Sequence, residues 1–480
     1  MVIQLNSNIF EMDIRGLAMA FFPGQELQVV LGEGQQMQND CLHIVQNPKW
    51  LAITYLEDGQ ILAEEEELVT EEDHKLQRDQ LKRMMYRVLK KGLGKELPWG
   101  TLSGIRPVKI ARTALEHQFS EDEIRQELEN VYYISPKKRD LMMDIAKTEL
   151  EVLSGIPYKD GYSLYVGIPF CPSTCAYCSF TSYPIHAWKD QVDHYLDLLC
   201  KEITYTADLF QDKKLCTIYV GGGTPTTLNP SQLARLLDKL CQISSKEPLY
   251  EMTVEAGRPD SVTQEKLQVL KDYGVTRISV NPQTMNQETL NRIGRAHTVE
   301  QTIEAYKMAR SLGFDNINMD LIMGLPGETR EDVEKTMDQI QQLRPDSLTV
   351  HSLAIKRAAR LNTAKEDYQQ YESVNTQEMI DMVRGYAEEM DLIPYYLYRQ
   401  KNMTGNLENV GYAKRNKIGI YNILIMEEMQ TIAAVGAGGA TKVVDLSQNL
   451  IQRAENVKEV RSYMTRFEEM LERKQKLIEN

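Results

Sequence analysis

The chain has 480 residues and a formal net charge of −14, from 55 basic and 69 acidic residues. This length suits two or three domains with a sizeable core. The acidic balance argues against a nucleic-acid binder, which would show a basic surface, but not against an anionic small molecule, which needs only a local basic cluster. No apolar run reaches the roughly 18 residues of a membrane span, and the N-terminus lacks a signal-peptide pattern.

The seven cysteines indicate the compartment of the protein. An odd number without disulfide-like spacing fits a reducing environment, so we expect a cytoplasmic location. Four of them, Cys41, Cys200, Cys216 and Cys241, are scattered and are expected to be core or surface thiols.

Residues 1 to about 155 predict an accessory α/β domain. A helical pattern runs from Glu71 to Lys91 and ends before Gly92. A second helical stretch, from about Pro107 to Leu153, is interrupted at Ser135-Pro136. Before these helices, Asp58-Gly59 predicts a hairpin turn between two of the β patterns. The β patterns lie at Val2–Leu5, Leu42–Val45, Trp50–Tyr55 and Gln60–Glu64.

Residues 156 to about 358 alternate between strand and helix patterns. Six strands separated by helices predict a parallel sheet with right-handed crossovers. The expected closure is an incomplete (β/α)6 barrel, in which ligands sit at the carboxyl ends of the strands. The predicted strands are Ser163–Phe170, Thr217–Gly221, Met252–Ala256, Arg277–Val280, Ile317–Met323 and Ser347–His351.

Residues 359–480 form a predicted C-terminal extension that is expected to cover the open side of the barrel. The extension is polar and helical to Asp391, small and Gly-rich over Thr431–Ala440, and ends in a charged amphipathic helix over Glu455–Leu477. An aromatic cluster, Tyr395 to Tyr398, leaves two interpretations open, the wall of a porphyrin-sized pocket or an ordinary strand.

Three cysteines, Cys171, Cys175 and Cys178, are spaced C-x3-C-x2-C just after the first barrel strand. Thiolates hold iron–sulfur clusters, usually four of them. Three thiolates on a four-iron cluster would leave one iron open for a substrate or cofactor. Zinc fits less well, because its usual spacing brings a second cysteine pair or a histidine pair. Buried structural cysteines are the remaining alternative.

The stretch from Tyr165 to Cys178 resembles the cluster loop of radical S-adenosylmethionine (SAM) enzymes. Within that superfamily, Tyr-x-x-Ile-Pro-Phe-Cys resembles the oxygen-independent coproporphyrinogen III oxidase (dehydrogenase) family. The resemblance implies a [4Fe–4S] cluster on the three cysteines, whose open iron chelates SAM. Reductive cleavage of SAM then yields a 5′-deoxyadenosyl radical. The resemblance also implies an electron donor of the flavodoxin or ferredoxin type.

Several residues near the strand ends match the family one by one. The run Gly221-Gly222-Gly223-Thr224 follows the second strand, where glycines let the backbone approach a ligand closely. Carboxylates such as Glu255 and Asp320 can pair with ribose hydroxyls or a sulfonium, although any one of these residues alone would be an ordinary barrel residue. The resemblance implies SAM contacts at Tyr165, Tyr177, Gly222, Gly223, Thr224, Glu255, Gln283, Arg295, Asp320 and Ala354.

Two positions depart from the best-known oxidase members of this family. Phe180 stands where those members carry a further cysteine, and Gly167 stands where they carry a histidine. Phe180 and the Gly-Arg-x-His stretch ending at His297 are similar to the heme-chaperone branch. The long N-terminal domain and Asn281-Pro282-Gln283 instead resemble a coproporphyrinogen dehydrogenase-like subgroup, the HemZ type.

The resemblance implies three possible functions. The first is oxygen-independent oxidative decarboxylation of coproporphyrinogen III to protoporphyrinogen IX in heme biosynthesis. The second is a heme-binding chaperone that uses the cluster and SAM for regulation. The third is another radical reaction on a tetrapyrrole, such as anaerobic heme ring opening. The expected partners are a tetrapyrrole and the electron donor, with no nucleic acid and no membrane span.

Overall fold

The computed structural model describes residues 1–32, 37–70, 73–104, 106–180, 182–245, 249–400, 403–448 and 450–479. The chain divides into two compact units, Met1–Ala146 and Lys147–Asn480. The division falls inside the helix Pro136–Ser154, whereas the sequence predicts a domain boundary just after that helix. Within the described ranges, no helix is both long enough and apolar enough to cross a membrane.

The N-terminal unit contains a five-stranded mixed sheet. The sheet order is β2-β1-β3-β4-β5, in which β1 runs parallel to both of its neighbours and the other pairs are antiparallel. Its apolar face is buried together with the first two helices. The elements are β1 (Val2–Leu5), α1 (Glu11–Phe21), β2 (Gln28–Leu31), β3 (Cys41–Gln46), β4 (Trp50–Glu57), β5 (Gln60–Leu68), α2 (His74–Leu93), α3 (Val108–Glu116), α4 (Glu121–Asn130) and α5 (Pro136–Ser154).

The hairpin predicted at Asp58-Gly59 is confirmed. The two turn residues have φ values of 50° and 73°, as a two-residue type I′ turn requires, and they join β4 to β5. The start of α5 at Pro136 also agrees with the predicted interruption. Helix α1 and strand β2 were not predicted.

The predicted end of helix α2 at Gly92 is wrong. Gly92 lies inside the helix, where an added Cβ would stand 2.6 Å from the Tyr55 ring, so packing requires a glycine there. The helix instead ends at Gly94, which has a φ of 62° and supplies the left-handed cap. The helix begins after Asp73, whose side chain accepts two backbone N–H groups. The predicted start at Glu71 lies outside the described residues.

The C-terminal unit alternates strands and helices up to residue 352 and then continues through a mixed region. Its first elements are β6 (Gly161–Ile168), β7 (Phe170–Cys171), β8 (Tyr183–Pro184), α6 (Val192–Leu209), β9 (Lys214–Gly222), α7 (Pro230–Ser244), β10 (Glu251–Glu255), α8 (Gln264–Asp272), β11 (Arg277–Ser279), α9 (Gln287–Arg292), α10 (Val299–Ser311), β12 (Ile317–Met323), α11 (Arg330–Leu343) and β13 (Ser347–Ser352). The later elements are α12 (Arg360–Thr363), α13 (Gln377–Glu389), β14 (Ile393–Tyr398), β15 (Asn409–Ala413), α14 (Ile420–Met426), β16 (Thr431–Val435), β17 (Ala440–Asp445), β18 (Leu450–Glu455), α15 (Val460–Thr465) and α16 (Phe467–Glu479).

Six parallel strands form the centre of an eleven-stranded sheet, in the order β6-β9-β10-β11-β12-β13. Spatial order equals chain order, which is the arrangement expected of successive right-handed crossovers. These strands are buried almost throughout, as both-face burial of a parallel sheet demands. The predicted parallel sheet is therefore confirmed, and its carboxyl edge holds the motifs described below.

The C-terminal residues extend this sheet at both edges. Strand β15 pairs antiparallel with β13 and carries β14, so the aromatic cluster lies on a strand. At the other edge, β16 pairs parallel with β6 and carries the β17–β18 hairpin. The single helix predicted over Glu455–Leu477 is wrong. Glu455 ends β18, and two helices follow, the first capped by the Glu459 carboxylate.

A buried ion pair anchors the last helix to the first barrel helix. Lys474 of α16 bonds to Glu202 of α6, and both side chains are almost completely buried. The same carboxylate accepts hydrogen bonds from Asn456 Nδ2 at 2.7 Å and from the Tyr463 hydroxyl at 2.6 Å. A charge buried in this way is tolerated because several donors satisfy it. The C-terminal segment is thus an integral part of the barrel unit.

Candidate active site

The cysteine triplet lies on the loop that leaves the carboxyl end of β6. Backbone hydrogen bonds hold this loop at two points. Before the triplet, Thr224 N donates to Phe170 O at 2.7 Å. Within the triplet, Ala176 N donates to Ile293 O at 2.8 Å. On the outer side, Leu361 N donates to Ala176 O at 2.9 Å. The position of the cysteines is therefore set by β9, α9 and α12 together.

The environment of Cys171 and Cys178 disfavours an unbound thiolate. Burial raises the pKa of Cys171 to about 11, although a hydrogen bond from the Thr224 hydroxyl opposes this shift. Burial also raises the pKa of Cys178. Such thiols ionise readily only when a cation binds them. The donor set, three sulfurs on one docked loop, fits an iron–sulfur cluster.

A cluster makes different geometric demands from a single ion. In the described part of the chain, no three His, Cys, Asp or Glu side chains are grouped closely enough to hold one metal ion. A four-iron cluster instead takes each thiolate on a separate iron, so its ligands lie apart.

The glycine loop after β9 packs against the cysteine loop. An added Cβ at Gly223 would stand 2.6 Å from Phe170 O and 2.7 Å from Ile168 O, so the protein's own backbone excludes a side chain there. Gly222 has a φ of 101°, which only glycine adopts readily. An added Cβ at Gly221 would stand 2.8 Å from Glu255 Oε1. The glycines therefore serve close packing as well as any ligand.

Glu255, at the end of β10, faces the barrel interior. The Tyr219 hydroxyl donates a 2.5 Å hydrogen bond to its Oε1. Burial raises the pKa of Glu255 to about 7; the Tyr219 hydrogen bond lowers it and the nearby Asp320 raises it. The carboxyl is consequently poised to ionise when a cationic group arrives.

Gln283 holds an unusual backbone conformation beside β12. Its φ is 69°, and its peptide groups bond to Asp320 O and Ile322 N at 2.9 Å each. Such strain in a residue other than glycine is concentrated at functional sites. Among the described residues, its buried Oε1 has no hydrogen-bond partner, so an acceptor is left for a ligand.

Two buried arginines lie beneath the cysteine loop. Arg295 donates to the Tyr177 hydroxyl at 3.0 Å and to the carbonyls of Gly257 and Asn281. Arg258, which the sequence analysis did not single out, donates to Cys175 Sγ at 3.7 Å. No sequence pattern around Arg258 marked it, because its partner lies 83 positions away in the chain.

One cavity of about 400 Å³ collects the predicted residues at the carboxyl edge of the sheet. Every predicted residue except Tyr165 lines it, including the three cysteines. Tyr165 lies just outside the lining, where its hydroxyl faces Gly222 and its ring stacks on Tyr219. The predicted residues that line the cavity are Cys171, Cys175, Tyr177, Cys178, Gly222, Gly223, Thr224, Glu255, Gln283, Arg295, Asp320 and Ala354.

The same cavity has wall residues beyond the predicted SAM contacts. His351 lines it and lies 3.3 Å, through Nδ1, from the hydroxyl of Tyr398 on β14. Burial lowers the pKa of His351, so the ring is neutral near pH 7. The aromatic cluster supplies Tyr396 and Tyr398 to the wall, as one of its two interpretations required. The aromatic cluster is the sequence signal for Tyr398, whereas no motif marks His351.

The two residues that are similar to the chaperone branch differ in exposure. Phe180 lines the cavity and is 75% exposed, so its ring is open to solvent. The side chain of His297 is fully buried, and burial lowers its pKa to about 3. Among the described residues, neither of its ring nitrogens has a hydrogen-bond partner. His297 is therefore inaccessible to a bulky ligand in this conformation.

Comparisons with known proteins identify the family. Residues 165–340 match the radical SAM superfamily model. Over 385 residues the chain is 42% identical to the "Oxygen-independent coproporphyrinogen-III oxidase-like protein HemZ" of Bacillus subtilis (strain 168), which covers 79% of this chain and 77% of that protein. Over 195 residues it is 38% identical to the "Heme chaperone HemW" of the same organism, covering 40% of this chain and 51% of that protein.

A solved structure supports the fold. The coproporphyrinogen III oxidase HemN of Escherichia coli, described as a radical SAM enzyme, aligns with a TM-score of 0.51 and 23% identity over 67% of this chain and 72% of that chain. The predicted α/β fold with a radical SAM core is confirmed by these matches. The superfamily implies a [4Fe–4S] cluster and SAM as cofactors. The chain therefore belongs to the radical SAM superfamily and, within it, to the oxygen-independent coproporphyrinogen-III oxidase-like family.

Proposed function

We propose that this chain converts coproporphyrinogen III to protoporphyrinogen IX by oxygen-independent oxidative decarboxylation. The observation that carries the proposal is the convergence of the cysteine loop, the glycine loop and the strand-end polar groups on one cavity. Similarity over most of the chain to a coproporphyrinogen-III oxidase-like protein supports the class of substrate.

In this proposal Cys171, Cys175 and Cys178 hold the cluster. Binding to iron supplies the positive charge that the thiols of Cys171 and Cys178, whose pKa values burial raises, need in order to ionise. The backbone contacts of the loop with Thr224 and Ile293 fix the three sulfurs before the cluster arrives. Preformed ligands of this kind lose little conformational freedom on binding.

The remaining cavity residues bind and orient SAM in this proposal. When bound, the cluster and SAM supply one-electron radical chemistry, and the protein supplies binding, orientation and exclusion of water. Glu255 ionises to meet a cationic group, and the free Oε1 of Gln283 accepts a hydrogen bond. The other predicted SAM contacts line the same cavity. They are Gly222, Gly223, Thr224, Asp320, Arg295 and Ala354.

The tetrapyrrole is proposed to meet the cavity at its open side. A volume of about 400 Å³ is near the low end of ligand pockets, which run from about 300 to 1,000 Å³. Bound SAM and the cluster would take up part of that volume, so we place the macrocycle at the open side, near the exposed ring of Phe180. His351 and Tyr398 then lie on the wall as a neutral hydrogen-bonded pair.

A heme chaperone is the second candidate, favoured by one observation. Phe180 is exposed on the cysteine loop, where an aromatic ring can stack on a bound macrocycle. The similarity to a heme chaperone over 40% of the chain is compatible with this role. The burial of His297 opposes a role for that residue as a heme ligand.

The deciding experiment is anaerobic incubation of the reconstituted full chain with SAM and a reductant, in one sample with coproporphyrinogen III and in a parallel sample with heme. Formation of protoporphyrinogen IX together with 5′-deoxyadenosine is the expected result. Stable heme binding without turnover of the porphyrinogen favours the chaperone. Consumption of heme itself favours ring opening. Reconstituted protein that carries no iron would contradict all three functions.

A further inference from the structure

Arg258 is a buried arginine that contacts the turn between the first two cysteines of the triplet. It follows β10, and its side chain is only 4% exposed. Its Nη1 donates to Ser173 O at 3.2 Å and to Cys175 Sγ at 3.7 Å. The second distance is normal for a hydrogen bond to sulfur, because sulfur is a large atom. The guanidinium thus contacts both the backbone of the turn and a predicted cluster ligand.

The orientation of this guanidinium is fixed by a carboxylate on its other side. Asp260 accepts from Nε at 3.0 Å and from Nη2 at 2.8 Å, which is a bidentate ion pair. The Ser173 hydroxyl accepts from both Nη atoms at 3.2 Å. With its other donors engaged in this way, Nη1 is held against the sulfur.

A comparison with Arg295 shows that the sulfur contact is specific. Arg295 is buried beneath the same loop, but it donates its hydrogen bonds to the Tyr177 hydroxyl and to two backbone carbonyls. Both arginines therefore place positive charge near the loop. Of the hydrogen bonds described for these two residues, only one from Arg258 goes to a cysteine sulfur.

We propose that Arg258 is a positioning residue that fixes the Cys175 sulfur and raises the reduction potential of the [4Fe–4S] cluster. Reduction adds one negative charge to the cluster, and hydrogen bonds to its sulfurs favour that state. The Arg258–Asp260 pair has no net charge, so it acts as a dipole with its positive end towards the sulfur. The inference rests on the proposed assignment of the three cysteines as cluster ligands.

The test is an EPR-monitored redox titration of the reconstituted full chain, with iron content measured in parallel. For Arg258→Gln we expect a more negative midpoint, with about tenfold less reduced cluster at a fixed potential, equivalent to ~59 mV for a one-electron couple. Arg258→Lys keeps the charge but loses the fork, so its midpoint should lie between the two. Arg310→Gln breaks an Arg–Asp pair of the same unit away from the cysteines and should leave the midpoint unchanged.

A second variant keeps the proposal testable if Arg258→Gln fails to load iron. Asp260→Asn retains the arginine and removes its counter-charge, so the midpoint should move to a less negative value. A purely structural role predicts iron loss in both variants with an unchanged midpoint in whatever cluster loads. That result, or shifts of the same sign in both variants, would overturn the inference. Wild-type protein that binds no cluster would instead contradict the proposed function.

Discussion

The hydroxyl of Tyr219 and the carboxylate of Glu255 form a 2.5 Å hydrogen bond inside the barrel, on neighbouring parallel strands. The Tyr219 ring is in turn stacked on Tyr421 of α14, with the ring centres 4.6 Å apart. The C-terminal extension therefore supports the orientation of a carboxyl that faces the cavity. This relationship gives the first prediction.

Binding of SAM should depend on pH through Glu255. Its pKa of about 7 means that the carboxyl is neutral at lower pH and must lose a proton to pair with a cation. We expect the affinity for SAM to rise with pH up to about 7, roughly tenfold per unit below that value, and then to level off. Isothermal titration calorimetry of SAM binding, from about pH 5.5 to about pH 8, provides the measurement.

Two variants check the origin of that pH dependence. In Tyr219→Phe the hydrogen bond that lowers the Glu255 pKa is lost, so the rise in affinity should shift to higher pH. Glu255→Gln should weaken binding and flatten the profile. A wild-type profile that is flat across this range would contradict the role of Glu255.

Each cysteine of the triplet should be required for the cluster. We expect Cys171→Ala, Cys175→Ala and Cys178→Ala to lose iron and the visible absorbance of the reconstituted protein, because three thiolates leave no spare ligand. Cys200→Ala is the matched control, since that free cysteine lies on α6. Unchanged iron in any one of the three variants would contradict the assignment.

Gly223→Ala should displace the cysteine loop while leaving all three predicted cluster ligands in place. The new Cβ would stand 2.6 Å from Phe170 O and 2.7 Å from Ile168 O, so the backbone beside Cys171 has to move. We expect lower iron content after reconstitution. The control is Gly385→Ala, where a Cβ meets nothing within 4 Å inside α13, and there we expect about 0.5–1 kcal/mol of added stability. Equal iron loading in both variants would count against this explanation.

Phe180 should contribute to tetrapyrrole binding and little to folding. Its ring is 75% exposed, so Phe180→Ser should leave the thermal midpoint unchanged and weaken binding of a porphyrin measured by fluorescence quenching. Phe119→Ser removes another exposed ring, 56% exposed and in the N-terminal unit, and should change neither quantity. Equal porphyrin affinities in the two variants would place the macrocycle elsewhere.

The buried ion pair between Glu202 and Lys474 should be a large contributor to stability. Lys474→Met leaves a carboxylate unpaired in the interior, which typically costs about 3–5 kcal/mol. Urea denaturation measures the loss. The double variant Glu202→Leu, Lys474→Met removes both charges and should recover part of that loss. A single variant as stable as wild type would show that the hydrogen bonds from Asn456, Tyr463 and Gly436 N satisfy the carboxylate without the lysine.

Local patterns in the sequence predicted the central architecture well. Val2–Leu5 matches β1, the Asp58-Gly59 turn forms its hairpin, and the six strand patterns form six adjacent parallel strands. Their success has a physical reason, because a strand buried on both faces and a two-residue turn each leave a signal within a few residues.

Other features depended on distant partners and could not be predicted. The predicted helix end at Gly92 is wrong because the Tyr55 ring requires a glycine inside α2. No residue near Arg258 in the sequence indicates its contact with Cys175. The charged pattern over Glu455–Leu477 is continuous and does not indicate the break between α15 and α16. The functional roles of the cavity residues also came from a resemblance, since spacing alone does not define a ligand.

The two edges of the parallel core are covered by strands that come late in the chain. β6 gains its outer neighbour only with Thr431–Val435, and β13 gains its neighbour only with Asn409–Ala413. Synthesis from the end of β13 to the end of β15 takes on the order of 3–12 seconds at roughly 5–20 residues per second, and during this time both edge strands of the nascent core are unpaired. Bare edges of this kind recruit other strands. Chaperones are therefore needed mainly during this interval of synthesis. Chains that terminate before Asn409 keep both edges unpaired and would be prone to aggregate.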